Sequence, residues 1–223
     1  MKKTVLLLTL TMVLFSCVNV NVNGGKPVKC KGEVVEQAMD FAGFTSITVE
    51  GAATIDFVQA ESFKVLVTAN EEVFNYLDYN IKDNALVLST KDNVTIDAKE
   101  YKVLIEAPAI TPVVVEGAAV LNIPGGYKSE ENLEIEIDGA AKLNLSGVEV
   151  PVLDITINGA GKFALNDINV DKLKIEVNGA GSGSVSGVAN SAKLTVAGTA
   201  SIDASALQCP DIEKHVDGLA RIK

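Results

Sequence analysis

Residues 133–181 read LEIEIDGAAKLNLSGVEVPVLDITINGAGKFALNDINVDKLKIEVNGAG. Three apolar triplets alternate with polar residues: Leu133, Ile135, Ile137; then Leu153, Ile155, Ile157; then Leu173, Ile175, Val177. Each ends in a polar residue and a glycine. Period two predicts strands, and the shared offset from the glycine predicts strands stacked in register. The same ending recurs as VEGAA at 49–53 and 115–119, IDGAA at 137–141, INGAG at 157–161, VNGAG at 177–181, VAGTA at 196–200 and VDGLA at 216–220. From Gly117 onward the key glycines are spaced by 22, 20, 20, 19 and 20 residues, and the first gap, Gly51 to Gly117, is 66, three such periods. A fixed period near 20 residues marks a solenoid, in which each turn buries its apolar face against its neighbours.

A second alternating piece follows each glycine (Leu143 and Leu145, Phe163 and Leu165, then Val185), so every rung carries at least two strands with a corner between them. Glycine makes the corner because it accepts positive φ. Pro151 and Pro210 each stand eight residues before a key glycine, at a strand entry where a missing N–H costs little. The fold class expected is all-β: a right-handed parallel β-helix with rungs of about 20 residues.

The first residues read as a lipoprotein signal peptide over 1–16. Lys2 and Lys3 form a positive n-region, and Val5 to Phe15 an apolar stretch short for a bilayer span. Leu14-Phe15-Ser16-Cys17 is similar to a bacterial lipobox, which makes Cys17 the lipidated residue and a membrane lipid anchor the first expected partner; an ordinary cleaved signal is the alternative. Residues 17–31 then serve as lipidated cysteine and tether. Outer-membrane anchoring in the cell envelope is the expected location, with the periplasmic or surface face open. Cys30 and Cys209 remain, and an oxidising envelope allows them to pair; a small buried free cysteine is the ordinary alternative. Removing Lys2 and Lys3 lowers the 19 basic side chains to 17 against 29 acidic ones, a balance that disfavours nucleic acid.

The body, 32–223, divides into an irregular first part to about 112, regular rungs over 113–210 and a C-terminal cap over 211–223. Strands are expected at 45–49, 54–58, 63–68 and 101–105. One short helix is expected within 70–79, with Asn70 at its N-cap. In the cap, Lys214 falls where the pattern expects an apolar residue, and His215 and Arg221 add charge.

Phe41-Ala42-Gly43-Phe44, followed by Ile47-Thr48-Val49-Glu50-Gly51, resembles the opening of the head GIN domain of putative autotransporter adhesins. The segment from Asn70-Glu71-Glu72 to Leu77, the turn Asp83-Asn84-Ala85-Leu86 and the later Ile-Asn-Gly-Ala-Gly at 157–161 resemble it too. The resemblance runs from about Phe41 to Lys223. It implies a β-helix-like fold, an envelope or secreted location and an adhesin-like role, and it carries no catalytic residues.

The column Glu50, Glu116, Asp138, Asn158, Asn178 and Asp217 sits one place before each corner glycine. A structural reading makes it a stacked polar ladder; a functional one makes its acidic members a calcium or glycan surface. Carboxylates are too sparse per rung for a dedicated metal site, so no metal and no cofactor are expected. Asp138 and Asp154 are the pair weighed for glycoside hydrolysis. Gly179-Ala180-Gly181-Ser182-Gly183-Ser184 lacks the Gly-Lys-Ser/Thr ending of a phosphate loop. The leading expectation is a non-enzymatic envelope lipoprotein whose long faces bind glycan or an envelope protein. A structural or assembly component and a polysaccharide-acting enzyme are the alternatives, and the oligomeric state is open.

Overall fold

The computed structural model describes residues 27–91 and 94–223. The signal peptide, Cys17 and the tether up to residue 26 lie outside the described residues. The rest is a β-solenoid of parallel coils stacked in register.

One long face stacks, in order, Leu77–Lys82, Ala85–Thr90, Ser46–Gly51, Val113–Gly117, Leu133–Gly139, then the glycine-ending parts of Glu149–Gly159, Lys162–Gly179 and Ser182–Gly198, and last Asp211–Gly218. A second face, beyond the glycine corner, stacks Val34–Met39, Lys64–Asn70, Tyr101–Ala107, Thr54–Gln59, Val120–Ile123, Lys142–Ser146, the first parts of Lys162–Gly179 and Ser182–Gly198, then Ser201–Gln208 and Arg221–Ile222. A narrower third face forms where 149–152, 169–172 and 188–191 pair.

The alternation explains the core. Ile47, Val113, Ile135, Ile155, Ile175 and Leu194 form one inward column, and Val49, Val115, Ile137, Ile157, Val177 and Val196 the next, all buried. Each such side chain contributes on the order of 1.5–3 kcal/mol by leaving water. Columns also adjust to one another. The Phe163 ring fills the space over Gly183, where an added Cβ would come within 2.4 Å of it.

The 66 residues between Gly51 and Gly117 are not three rungs, because Gly117 stacks directly on Gly51. The chain completes the rung of Ser46–Gly51 and Thr54–Gln59, then leaves the growing stack. Lys64–Asn70 and Leu77–Lys82 run antiparallel at the other end, and Ala85–Thr90 with Tyr101–Ala107 add one parallel rung there.

The expected helix is a single 3-10 turn, Glu71–Asn75, and Leu77–Lys82 is strand. Asn70 makes no side-chain cap. Its buried carboxamide donates to Gly32 O at 2.7 Å and accepts from Lys99 N and Glu100 N at 2.8 and 3.1 Å, joining three segments instead. Part of the expected tether is also structured: Val28–Cys30 pairs in parallel with Ile96–Ala98, and Gly32 N donates to the Glu72 carboxylate at 2.6 Å. That bond holds the Glu72 carboxyl below the usual carboxylate range.

Cys30 and Cys209 do not pair; both are free. Cys30 is buried beside the first rung, whereas Cys209 follows Ser201–Gln208 near the last. Several strand spacings of about 4.8 Å separate those rungs, far beyond the roughly 7 Å between Cα atoms that a disulfide spans.

Candidate binding groove at the glycine corner

The seven key glycines coincide along one edge. Two constraints keep them glycine. Gly159 has φ +137°, and a Cβ there would lie 2.3 Å from Gly139 O; Gly139 and Gly179 face the same contact with the rung before. That carbonyl is occupied by the next rung: Ala160 N donates to Gly139 O, and Ala180 N to Gly159 O, each at 2.9 Å. The second residue past the glycine turns inward, so Ala119, Ala141 and Ala200 are buried. Gly161 and Gly181 take that place where Ile157 and Val177 leave no room for a methyl. The run at 179–184 is therefore corner packing and not a phosphate cradle.

The expected column forms beside this edge, with Glu50, Glu116, Asp138, Asn158 and Asn178 on successive rungs. Asn178 Nδ2 donates to Asn158 Oδ1 at 3.1 Å, and Asn158 Nδ2 to Asp138 Oδ1 at 2.8 Å. The amide chain thus runs toward the N-terminal end and stops on a carboxylate, the strongest acceptor available. Asp217 holds the same place in the last rung, beyond Ala197.

Glu50, Glu116 and Asp138 line a cleft of about 630 Å³ floored by corner glycines and alanines, with Val94 and Ile96 also in its wall. The cleft crosses four rungs, Gly51 to Gly159, and so suits an extended ligand lying along the corner. Stacking spaces its carboxylates rung by rung in a row, and among the described residues no three His, Cys, Asp or Glu converge as metal ligands. Asp154 is not part of it. It pairs with Lys174 at 3.0 Å and stands opposite Glu134, four residues before the Asn158 that faces Asp138. Four strand residues span roughly 13 Å, beyond the separation of a glycosidase carboxylate pair.

A second ladder went unread in the sequence. Asn144 Nδ2 donates to Asn122 Oδ1 at 2.6 Å, and Asn122 Nδ2 to Asp56 Oδ1 at 2.7 Å, beside a smaller cleft of about 290 Å³. Its signal was present, because each member lies five residues past a key glycine. Asn190 donating to Asp171 at 2.9 Å repeats the motif on the third face. Each chain of amides points toward the earlier rung and ends on an aspartate.

A family model described as "Putative auto-transporter adhesin, head GIN domain" matches residues 43–223. No curated protein matches the chain. Among solved structures it is similar to a "putative adhesin" from Parabacteroides distasonis, with 20% identity, TM-score 0.75, and coverage of 88% of this chain and 84% of that one. A "putative adhesin" from Bacteroides fragilis follows with 16% identity, TM-score 0.65, and coverage of 88% and 99%. At these identities the likeness is one of fold.

Proposed function

From the premise that the chain belongs to the head GIN domain family of putative auto-transporter adhesins, we propose that it is a non-enzymatic binding module of the cell envelope. The groove at the glycine corner takes an extended ligand, a glycan chain or a segment of an envelope protein. The observation that carries this reading is the four-rung cleft in which Glu50, Glu116 and Asp138 repeat at one register position. Evenly spaced acceptors of one kind suit a ligand that itself repeats. Cys17 carries a lipid that anchors the module to the outer membrane, with residues 18–26 bridging to the first described strand.

The test uses purified envelope polysaccharides and detergent-solubilised envelope proteins as probes. Ala140 is exposed in the groove, so Ala140→Arg blocks it and adds charge without entering the core. Binding at least ten-fold weaker in Ala140→Arg, and unchanged in Asn190→Ala on the third face, supports the assignment. Equal binding by both variants, or no binding to either probe set, overturns it. Sugar release by the wild-type chain that is lost in Glu116→Gln replaces it with a hydrolase. Anchoring is checked separately: Cys17→Ala should abolish palmitate labelling and free the chain from membranes, and protease shaving of intact cells reports the face displayed.

A further inference from the structure

Glu50, Glu116 and Asp138 stand directly opposite one another on adjacent strands, about 4.8 Å from backbone to backbone. Like charges so placed repel. Elsewhere on these faces a lysine of the adjacent rung meets the carboxylate: Lys102 with Asp56, Lys174 with Asp154, Lys193 with Glu213, Lys223 with Asp203. Among the described residues, the Glu50 and Glu116 carboxylates have neither ion pair nor hydrogen bond, and Asp138 accepts only from the Asn158 amide. Lys142 and Lys162, just past the corner on the second face, form no ion pair with the row.

The row has two defined ends. Ser89, in the rung before Glu50, is buried and donates to Asp78 O at 2.6 Å, and residues 94–96 wall the cleft there. Past Asp138 the column turns neutral at Asn158 and Asn178. Three carboxylates thus span two rung spacings, roughly 10 Å, within the cleft of about 630 Å³. Apolar surface runs beside them, from Ala52, Ala140 and Ala160 and from Val94 and Ile96.

We propose that the cleft recognises a linear oligoamine whose nitrogens are separated by three methylenes, free or carried as a substituent on an envelope polymer. This rests on the reading of the corner cleft as the binding site and names the chemistry recognised there. An all-trans run of three methylenes sets successive nitrogens about 5 Å apart. That step matches the rungs, so each ammonium meets one carboxylate. The methylenes between them lie against the alanines, Val94 and Ile96 and leave water there. An extended peptide keeps a different step, because side chains on one of its faces recur about every 6.7 Å. The carboxylates lie in line and do not converge on one point, which suits several monovalent charges in sequence over one divalent ion.

The experiment titrates the full chain in non-ionic detergent, by calorimetry at low ionic strength and about pH 6.5, where carboxylates are ionised. The probe is bis(3-aminopropyl)amine. Its comparator, bis(6-aminohexyl)amine, has the same three nitrogens in steps of roughly 9 Å and should bind about five-fold more weakly. Glu116→Gln removes the partner of the central nitrogen and should weaken the probe about five-fold, whereas Glu134→Gln, an equal loss of charge outside the cleft, should stay within about two-fold. Equal affinity for the two triamines, or equal effects of the two variants, marks diffuse attraction to an acidic protein and overturns the proposal. No binding of the probe overturns it too, yet loss of an envelope polymer in Ala140→Arg would leave the cleft standing as the site. Probe binding that Ala140→Arg does not disturb overturns both. A polymer displaced by the probe and lost on N-acetylation carries the amines itself, and probe binding with no such polymer marks the free amine as ligand. Polymer binding in the cleft that survives both treatments overturns the assignment.

Discussion

Gly159 has φ +137°, and a methyl placed on it would lie 2.3 Å from Gly139 O and 3.0 Å from Gly139 C, both backbone atoms. Gly159→Ala therefore carries two separable costs. Left-handed backbone in an L-residue costs about 1–2 kcal/mol. The clash cannot be relieved by turning a side chain, so the rungs must part at the corner. That stretches the bond from Ala160 N to Gly139 O, and a poorly satisfied peptide group costs about 1–3 kcal/mol more. The sum, about 2–5 kcal/mol, is a large share of the 5–15 kcal/mol typical of a folded domain. Gly126 is the control: its φ is +82°, and a Cβ there meets nothing within 4 Å. Gly126→Ala should cost only the backbone part, about 1–2 kcal/mol. Urea unfolding followed by far-ultraviolet circular dichroism compares the two midpoints. Equal shifts for Gly159→Ala and Gly126→Ala would refute the claim that rung-to-rung contact, over and above φ, holds these positions as glycine.

Gly183→Ala pushes a methyl into the Phe163 ring and should cost about 1–3 kcal/mol; combined with Phe163→Leu the loss should shrink, a coupling that a double-mutant cycle of unfolding energies measures. In the corner ladder, Asn158→Ala removes a donor to Asp138 and an acceptor for Asn178, for about 1 kcal/mol at this half-buried site, whereas Asp138→Asn keeps the acceptor and should stay within about 0.5 kcal/mol by thermal unfolding. Burial, with the Glu72 and Asp97 carboxylates nearby, pushes the Cys30 thiol up, so peptide mapping after brief alkylation of the native chain should find Cys209 modified and Cys30 protected until unfolding; mutual protection under oxidising conditions would restore the disulfide. The Glu72 carboxyl titrates below its usual 4.5 because Gly32 N–H binds the charged form. Its stabilisation is complete above the unfolded value and fades as pH falls through the depressed folded one, so the protection factors of the Val28–Cys30 amides, exchange rates divided into the intrinsic rate at each pH, should fall on acidification into that range and stay flat above it.

The regular rungs were legible because one physical demand repeats in each of them. A backbone that turns under another turning backbone has room for no Cβ, so the glycine returns at every coil, and the column before it follows with Glu50, Glu116, Asp138, Asn158 and Asn178 on successive neighbours. Within that column Asp138, Asn158 and Asn178 are joined by hydrogen bonds, since an amide offers a donor and an acceptor along the stacking direction. What the residues did not disclose is that the same column changes character along its length. Asn158 and Asn178 are half-buried and bonded to their neighbours, whereas Glu50 and Glu116 are exposed and line the cleft. Identity of position does not fix identity of surroundings when the connection after Ala85–Thr90 covers only the first few rungs.

The N-terminal half was opaque for a different reason. Alternation of Val65, Val67 and Ala69, or of Leu86 and Leu88, marks a strand with one buried face, and a strand looks the same in sequence whether its neighbour runs parallel or antiparallel. Counting 66 residues as three periods assumed that growth in sequence is growth along the axis. The chain instead places Ser46–Gly51 between Ala85–Thr90 and Val113–Gly117, building outward in both directions from the rung it made first. Asn70 shows how local chemistry misleads there. An asparagine before Glu71 and Glu72 suits a helix cap, yet Gly32 O, Lys99 N and Glu100 N otherwise lack that partner at the end of the stack, and its carboxamide serves them. Antiparallel strands finish this end, while the opposite end finishes on a parallel strand with its inward row uncovered. That asymmetry derives from the order in which the chain visits its rungs, which no periodicity encodes.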